Sequence, residues 1–429
     1  MVGKRGGHSA AIRAAAAGCT LLMAVAVTGC GGDDKPAAKH RPVAMTGRSG
    51  AALPVPHGRG SKVPDDFNGD GAPDLVLDDL VHDGLGDDAG IGVVYGRKGH
   101  GLAPGARQLL RPAKYAAPTG GETPAAFDSE ASCDLDKDGF TDLVVSTDPP
   151  FDGQGQPPVP LQILFGGPGG LTHQGVKLVV PAQARFGNDW PDQPVCGDFD
   201  GDGSVDLTVH ASGGRLSFLR GPFTRKGAPR AAGKPLTAPG NVPVGPAFDI
   251  DSDGYDDLLV RRTSAGSSPS RIVLGGPQGP ARSGAALPSG LGLAVGRFAK
   301  GSGGADTALL TASGVTLSRP GARALKATGK AITAGDFDGD GVAELVVSGG
   351  AVTLLGTGGG AAVTVTPSAT GTTQVLRTAD FDGDGRADLA VRTYRGESAD
   401  TVAVYTGVKD GKLVAAKPQV TFSTAEFTS

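Results

Sequence analysis

"DFDGDGRADL" (residues 380–389) recurs almost unchanged as "DFDGDGSVDL" at 198–207 and as "DFDGDGVAEL" at 336–345. Each copy places four carboxylates within nine residues. A pair of like charges ~4 Å apart costs about 4 kcal/mol at an effective dielectric near 20, so a cation or full solvation must offset the repulsion. Further copies begin at Asp66, Asp134 and Asp249, and all six match D-x-[D/N]-x-D-G-x-x-[D/E].

Oxygen ligands at alternate positions, with glycine at position 6 for a sharp turn, are typical of a calcium loop. The six loops therefore predict about six bound calcium ions; polar Asp-Gly turns without metal are the alternative. The side chains predicted to bind the ions at positions 1, 3, 5 and 9 are Asp66, Asn68, Asp70 and Asp74; Asp134, Asp136, Asp138 and Asp142; Asp198, Asp200, Asp202 and Asp206; Asp249, Asp251, Asp253 and Asp257; Asp336, Asp338, Asp340 and Glu344; and Asp380, Asp382, Asp384 and Asp388. The backbone carbonyls predicted to bind at position 7 are those of Ala72, Phe140, Ser204, Tyr255, Val342 and Arg386.

The segment after each loop argues against an EF-hand, which needs a bidentate Glu at position 12 and flanking helices. Position 12 is apolar in every copy, as at Leu77 and Val145. Each loop runs into a short apolar segment such as DLVV or ELVV, which is typical of a buried strand. The high content of glycine (72) and proline (32) also favours many short strands joined by turns.

The loops and the segments after them resemble the FG-GAP/VCBS repeats of integrin-α-like β-propellers. Beyond the loop pattern, VVYGRKGHGL (93–102), ILFGGPGGLT (163–172), IVLGGPQGP (272–280) and VAVYTGVKDGKL (402–413) resemble the third strand and Gly-Pro-Gly turn of that family. The resemblance covers about 61–422. It implies an all-β propeller in which a calcium loop joins the first two strands of each blade.

The spacing of the loops predicts seven blades. Loop starts are 44 to 68 residues apart, except for one gap of 87 between Asp249 and Asp336. Inside that gap, GRFAKGSGGADTALL (296–310) parallels GDFDGDGVAELVV (335–347), with Arg297 in the place of Asp336 and Asp306 one residue late. We interpret it as a blade that has lost its metal site. QVTF (419–422) is the candidate for the last outer strand.

The N-terminus predicts a bacterial lipoprotein. Lys4, Arg5 and Arg13 precede an apolar run at 14–27 that suits a secretory signal, and VTGC (27–30) resembles a lipobox that makes Cys30 the lipidated residue. An ordinary cleaved signal or an uncleaved anchor is the alternative. The predicted organisation is a signal peptide at 1–29, a flexible lipidated tether at 30–60 and the propeller at 61–429. The expected location is outside the cytoplasm, at the bacterial cell membrane.

Two cysteines remain inside the predicted propeller. Cys133 and Cys196 lie just before two loops, at nearly equivalent places in adjacent repeats. The expected location outside the cytoplasm permits a disulfide between them, and two buried free thiols are the alternative.

Function is less constrained. The net charge of −4 and the lack of a basic tract give no support for nucleic-acid binding, and no nucleophile elbow, HExxH motif or histidine cluster indicates an enzyme. We expect a monomeric, non-catalytic ring that binds a protein or glycan ligand. Long connections are predicted on the face away from calcium, at 78–91, 146–160, 261–270 and 392–401, with long links between blades at 112–132 and 181–195. They suggest a partner surface with Asp87, Asp88, Tyr115, Phe151, Trp190 and Tyr394. A lectin-like sugar-binding propeller is the first alternative, and a calcium-dependent polysaccharide lyase or hydrolase is the second.

Overall fold

In the computed structural model, the chain folds into a series of antiparallel sheets in which most strands pair with the next along the chain. The structure describes residues 52–80, 89–155, 157–185, 190–211, 215–233, 236–237, 242–263, 266–301, 304–319, 321–358, 361–395, 398–409 and 411–428. Within these ranges seven sheets succeed one another and form the blades of the predicted seven-bladed, all-β propeller.

The blades contain three to five strands each. Blade 1 contains β1 (Leu75–Leu77), β2 (Ile91–Arg97) and β3 (Gly101–Leu110); blade 2 contains β4 (Phe127–Cys133), β5 (Asp142–Thr147), β6 (Leu161–Leu164) and β7 (Val176–Lys177). Blade 3 contains β8 (Asp192–Gly197), β9 (Asp206–Ala211), β10 (Arg215–Arg220), β11 (Ala231–Ala232) and β12 (Leu236–Thr237); blade 4 contains β13 (Val242–Phe248), β14 (Asp257–Arg261), β15 (Ser268–Leu274) and β16 (Arg282–Gly290). Blade 5 contains β17 (Gly292–Gly296), β18 (Asp306–Thr311) and β19 (Gly314–Leu317); blade 6 contains β20 (Ala331–Gly335), β21 (Glu344–Ser348), β22 (Val352–Leu355) and β23 (Val363–Val365); and blade 7 contains β24 (Thr372–Ala379), β25 (Asp388–Arg395), β26 (Ser398–Tyr405) and β29 (Val420–Ser423).

Outside the blades, β27 (Gly407–Val408) and β28 (Leu413–Val414) form a two-stranded ribbon. The short helices are α1 (Pro112–Tyr115), α2 (Ala182–Arg185) and the 3-10 helix η1 (Thr424–Phe427).

The strand after each acidic loop is buried on both faces. The residues of β14, for example, are all buried, and so are those of β21. A strand in the middle of a blade packs against a neighbouring blade on each side, which is why its sequence is a continuous apolar run rather than an alternating one.

Buried apolar clusters join neighbouring blades. One cluster packs Tyr95 of blade 1 against Leu143 of blade 2, and another packs Phe337 of blade 6 against Val391 of blade 7. Each Å² of apolar surface buried contributes about 25 cal/mol, so these seams stabilise the ring.

The ring closes between blades 7 and 1 through a mixed apolar and ionic contact. Leu75 and Leu77 of blade 1 share a cluster with Phe381 and Phe422 of blade 7. Beside it, the buried Arg392 pairs with the fully buried Asp400 at 2.5 Å and donates to backbone carbonyls that follow β1.

The predicted outer strand at 419–422 is confirmed, because β29 pairs with β26 of the same blade. The prediction of a long connection at 392–401 is wrong. Strands β25 and β26 continue through most of that stretch, and Thr393 lies opposite Thr401. Such threonine pairs on adjacent strands supply cross-strand contacts that extend the hairpin.

The propeller includes residues before 61. The backbone N–H groups of Leu53, Gly58 and Arg59 donate to the carbonyls of Gly105, Asn68 and Gly69, so the last part of the predicted tether lies along blade 1. The predicted signal peptide, Cys30 and the tether up to residue 51 lie outside the described residues. Among the residues that the structure describes, no helix is long and apolar enough to cross a membrane.

A disulfide links Cys133, the last residue of β4, to Cys196 near the end of β8. It therefore joins the first strands of blades 2 and 3, in addition to the apolar cluster that those blades share.

Candidate metal centre

The acidic loops share one backbone conformation. Position 6 has positive φ throughout, for example +88° at Gly139 and +84° at Gly385, and glycine adopts this conformation without steric cost. Position 4 is also left-handed, and it accommodates Lys137 (φ 64°) and Ser252 (φ 62°) as well as glycine. The two reversals turn the side chains at positions 1, 3 and 9 toward a common point.

Backbone hydrogen bonds hold the first and last carboxylates of a loop. In blade 1, Asp66 accepts hydrogen bonds from the N–H groups of Asp70 (3.1 Å) and Gly71 (2.7 Å). The position-9 carboxylate of Asp74 accepts from Phe67 (2.9 Å) and from Gly96 (2.8 Å), which lies near the end of β2. Asp142, Asp257 and Asp388 make the same two contacts. Position 9 therefore fastens the loop to the sheet.

Carboxylate oxygens converge in five of the loops. In each, one oxygen atom from positions 1, 3 and 9 lies within 4.8 Å of the others. The clusters are Asp134, Asp136 and Asp142; Asp198, Asp200 and Asp206; Asp249, Asp251 and Asp257; Asp336, Asp338 and Glu344; and Asp380, Asp382 and Asp388. Such a set of hard oxygen donors fits Ca²⁺.

Blade 3 gives the clearest test of this fit. One oxygen atom each of Asp198, Asp200 and Asp206 is buried and has no hydrogen-bond partner among the described residues. Leaving one buried polar group unsatisfied costs about 1–3 kcal/mol, and more for a charged group. A bound cation would satisfy all three oxygens together.

Blades 1 and 5 differ from the rest. In blade 1, position 3 is Asn68, whereas the other acidic loops have Asp there. The amide oxygen of Asn68 accepts a hydrogen bond from the N–H group of Asp70. In blade 5, Asp306 is the first residue of β18, the place of Asp142 and Glu344 in β5 and β21. Positions 1 and 3 of blade 5 are Arg297 and Ala299, so a single carboxylate remains, as the sequence predicts.

Burial raises the pKa of the position-9 carboxylates. It raises the pKa of Asp142 to about 8 and that of Asp206, Glu344 and Asp388 to about 7, with neighbouring carboxylates adding to the effect. The backbone donors lower these pKa values but do not outweigh the desolvation. A divalent cation would reverse this balance, because it favours the ionised form.

Position 5 departs from the predicted ligand set. Its carboxylate is not part of the convergent clusters, and in five loops it pairs with a basic side chain. The pairs are Asp138 with Arg225, Asp202 with Arg230, Asp253 with Arg282, Asp340 with Lys300, and Asp384 with Arg386. Arg225 also contacts Asp136. No spacing rule in the sequence identifies these bases, because most of them come from distant turns or from a neighbouring blade.

Successive loops from blade 1 to blade 7 contact one another, and we call the six acidic loops together with residues 297–301 and 304–306 the loop ring. At four seams the N–H group of position 8 donates to the carbonyl of position 1 in the preceding loop, as in Thr141 to Asp66 (3.0 Å) and Ala387 to Asp336 (2.7 Å). The side chain at position 7 lies over position 4 of the preceding loop. A Cβ atom on Gly69 would come within 2.5 Å of Phe140, and one on Gly201 within 2.7 Å of Tyr255.

The residues of the predicted partner surface differ in their exposure. Tyr115 is wrong as a surface residue, since it is 5% exposed and packs in the core between blades 1 and 2, with its hydroxyl accepting from Gln108. Phe151 and Tyr394 are 45% and 53% exposed. Trp190 is half-buried, and Asp87 and Asp88 lie outside the described residues.

Comparisons with known proteins agree with the repeat pattern. The sequence model of the FG-GAP repeat matches residues 373–406, which run from β24 through the acidic loop to β26. No curated protein sequence matches the chain.

Among solved structures, the complex of BBS1N with ARL6DN is similar with 14% identity and a TM-score of 0.44, covering 85% of this chain and 96% of that one. Rhamnogalacturonan lyase PL11 from Bacillus licheniformis is similar with 15% identity and a TM-score of 0.38, covering 84% of this chain and 75% of that one. A mutant of AofleA from Arthrobotrys oligospora is similar with 14% identity and a TM-score of 0.36, covering 73% of this chain and 97% of that one. These likenesses are too distant to carry a functional argument. The chain is a seven-bladed β-propeller whose last blade matches the sequence model of the FG-GAP repeat.

Proposed function

We propose that the chain is a calcium-stabilised, non-catalytic propeller that presents a binding surface outside the cytoplasm. The observation that carries the calcium part is the set of buried, unpartnered oxygens of Asp198, Asp200 and Asp206. The same triangle of carboxylates recurs in four other blades. Calcium would supply positive charge at these points and so lock each loop onto its sheet.

The chain's own residues define what the ion would do. In blade 2, position 9 is already fastened to position 2 and to the turn after β6, and position 1 is fastened to positions 5 and 6. Calcium would then offset the repulsion between the carboxylates of these two ends. An ion that binds only the folded state stabilises it by RT ln(1 + [L]/Kd), which is about 1.4 kcal/mol per site at tenfold excess.

Equilibrium dialysis of the purified protein against buffered calcium, with metal analysis and thermal melting of the same samples, tests this role. We expect five to six ions per chain and a large increase in Tm over the calcium-free protein. Magnesium at equal concentration is the control for ionic strength, since it demands a smaller octahedral site. Fewer than two ions per chain with an unchanged melting curve would refute the calcium role.

The location rests on the sequence at 1–30 and on the disulfide between Cys133 and Cys196, which suits an oxidising compartment. Lipidation at Cys30 would anchor the ring to the bacterial cell membrane. Metabolic labelling of the native host with a fatty-acid probe tests this, with Cys30→Ala as the variant expected to lose the label and Cys133→Ala as the control that keeps it.

The binding role rests on the exposed aromatic side chains of Phe151 and Tyr394, on the face away from the acidic loops. Exposed aromatic residues are common contact points for proteins and for sugars. Pull-down from surface extracts and a glycan array distinguish a protein partner from a sugar. We expect Phe151→Ala and Tyr394→Ala to weaken binding at unchanged Tm, and full binding by both variants would argue against this surface.

A further inference from the structure

A cavity of about 400 Å³ lies where the loop of blade 5 meets the loop of blade 6. Phe298, Ala299 and Lys300 of blade 5 line one side, Asp338, Asp340 and Glu344 of blade 6 form another, and Gly411 and Leu413 of the ribbon complete it. Its volume is in the range of small-molecule sites in proteins.

The loss of the acidic loop in blade 5 explains why the cavity exists there. In the next pair of loops, the long side chain of Arg386 at position 7 covers Gly339. At the blade 5–6 seam, position 7 is the shorter Val342, and blade 5 contributes Ala299 where the other loops carry a carboxylate or an amide. The glycines of the surrounding turns, Gly356 and Gly411, also leave room.

Two basic side chains line the cavity together with the carboxylates. Arg319 donates to the carbonyl of Phe298 (2.9 Å) and to that of Thr357 (3.4 Å), so its guanidinium is held between blades 5 and 6. Lys300 lies 3.1 Å from Asp340, and its side chain is 73% exposed. A fixed guanidinium and an adjacent ammonium are typical partners of a carboxylate ligand.

Calcium would remove the excess negative charge beside the cavity. With their carboxylates ionised, Asp338, Asp340 and Glu344 of the lining and the adjacent Asp336 outweigh Lys300 and Arg319 by two units, so the ion-free cavity repels anions. A divalent ion in the cluster of Asp336, Asp338 and Glu344 would cancel this excess. The convergent cluster supplies oxygens from three side chains, fewer than the six to eight oxygen ligands that calcium takes, so a bound ion could also accept an oxygen of a ligand.

We propose that this cavity is a calcium-gated binding site for a small carboxylate of monosaccharide size, held by the loop-bound ion, Lys300 and Arg319. The inference rests on the proposed calcium binding and adds a ligand class to it. The site is on the loop side of the ring, and it is separate from the aromatic residues on the other face.

The test is a titration of the purified full-length protein, measured by isothermal calorimetry, with D-galacturonate as a sugar acid, N-acetylglycine as a peptide-like carboxylate and D-galactose as the neutral control. Each titration is run in saturating calcium and after calcium removal, with the number of bound calcium ions measured on the same samples. We expect one or both acids to bind in calcium only, with no binding of galactose.

Lys300→Gln is the main variant, because this side chain is largely exposed and contributes little to the packing of the blade. It should weaken carboxylate binding about tenfold, as expected for one charge-assisted hydrogen bond, while calcium content and Tm stay unchanged. Lys326→Gln, an exposed lysine of the same blade outside the lining, is the matched control and should bind normally.

A normal calcium content with no binding of either acid would overturn the inference and leave the proposed function standing. Carboxylate binding that survives calcium removal or Lys300→Gln would overturn it as well. A protein that binds no calcium would overturn both.

Discussion

Neutralising Asp400 should lower the free energy of unfolding by weakening the contact between blades 7 and 1. Asp400 is fully buried and accepts from the guanidinium of Arg392 at 2.5 Å and from the N–H group of Arg395 at 3.0 Å. Arg392 also donates to the carbonyls of Asp78 and Asp79, across the junction of blades 7 and 1. Asp400→Asn keeps the shape of the side chain but leaves the charge of Arg392 uncompensated.

Breaking a buried ion pair from one side costs about 3–5 kcal/mol. We expect a value near the lower end, about 3 kcal/mol, because the amide oxygen of Asn still accepts a hydrogen bond. Against a typical unfolding free energy of about 5–15 kcal/mol for a native protein, such a loss is large. The replacement of both partners, Arg392→Met with Asp400→Leu, should cost less than the loss of Asp400 alone.

Urea unfolding in saturating calcium, monitored by tryptophan fluorescence and by circular dichroism, measures the effect. Glu122→Gln, which neutralises an exposed carboxylate, is the control and should leave the unfolding midpoint unchanged. A midpoint for Asp400→Asn within error of this control would refute the reasoning, and so would a double variant less stable than Asp400→Leu alone.

Other expected outcomes concern the loops and the disulfide. Burial holds the pKa of Asp142 at about 8 and that of Asp206 at about 7, both raised from 3.8, so their contribution to stability is complete below about pH 4 and is lost as the pH rises through 7 to 8. In calcium-free buffer, Tm should therefore fall between about pH 5 and about pH 8. Saturating calcium favours the ionised carboxylates and should abolish or reverse this fall. Equal pH profiles of Tm with and without the ion would count against calcium binding by the convergent clusters. Cys133→Ser with Cys196→Ser should lower the free energy of unfolding by about 4 kcal/mol, since the bridge closes a loop with a sequence separation of 63 residues. Urea unfolding of the double variant measures it, and an unchanged midpoint would show that the bridge adds nothing to the seam. Asp142→Ala should remove one bound calcium ion and lower Tm, because this carboxylate also fastens the loop to Gly166; Asp152→Ala, in an exposed turn, is its control in the same calcium count.

The sequence predicts the blades well because an acidic loop, or its remnant in blade 5, is followed directly by an apolar run in every repeat. The spacing of the acidic loop places position 9 where the next apolar run begins, and Asp142, Asp206, Asp257, Glu344 and Asp388 are all the first residues of strands. The degenerate loop of blade 5 remains recognisable for the same reason, since Asp306 begins β18.

Contacts between distant segments are what the sequence does not reveal. Tyr115 belongs to a connection that looks like a surface loop, yet its ring packs in the core that blades 1 and 2 share, which the local sequence cannot indicate. The pairing of Arg225 with Asp136 and Asp138 joins side chains far apart along the chain. The cavity beside Lys300 likewise depends on segments from three separate parts of the ring.

Because of the contacts within the loop ring, one repeat cannot be duplicated or exchanged in evolution independently of its neighbour. A large side chain at position 7 fits only where the preceding repeat has no side chain at position 4, as with Phe140 over Gly69; where position 4 carries Lys137, the following repeat has the small Ser204, 3.3 Å away. A duplicated, deleted or transplanted repeat must therefore bring half of its neighbour's loop with it. The unit that can be exchanged without repacking is therefore the seam, which contains position 4 of one loop and position 7 of the next, rather than a single blade.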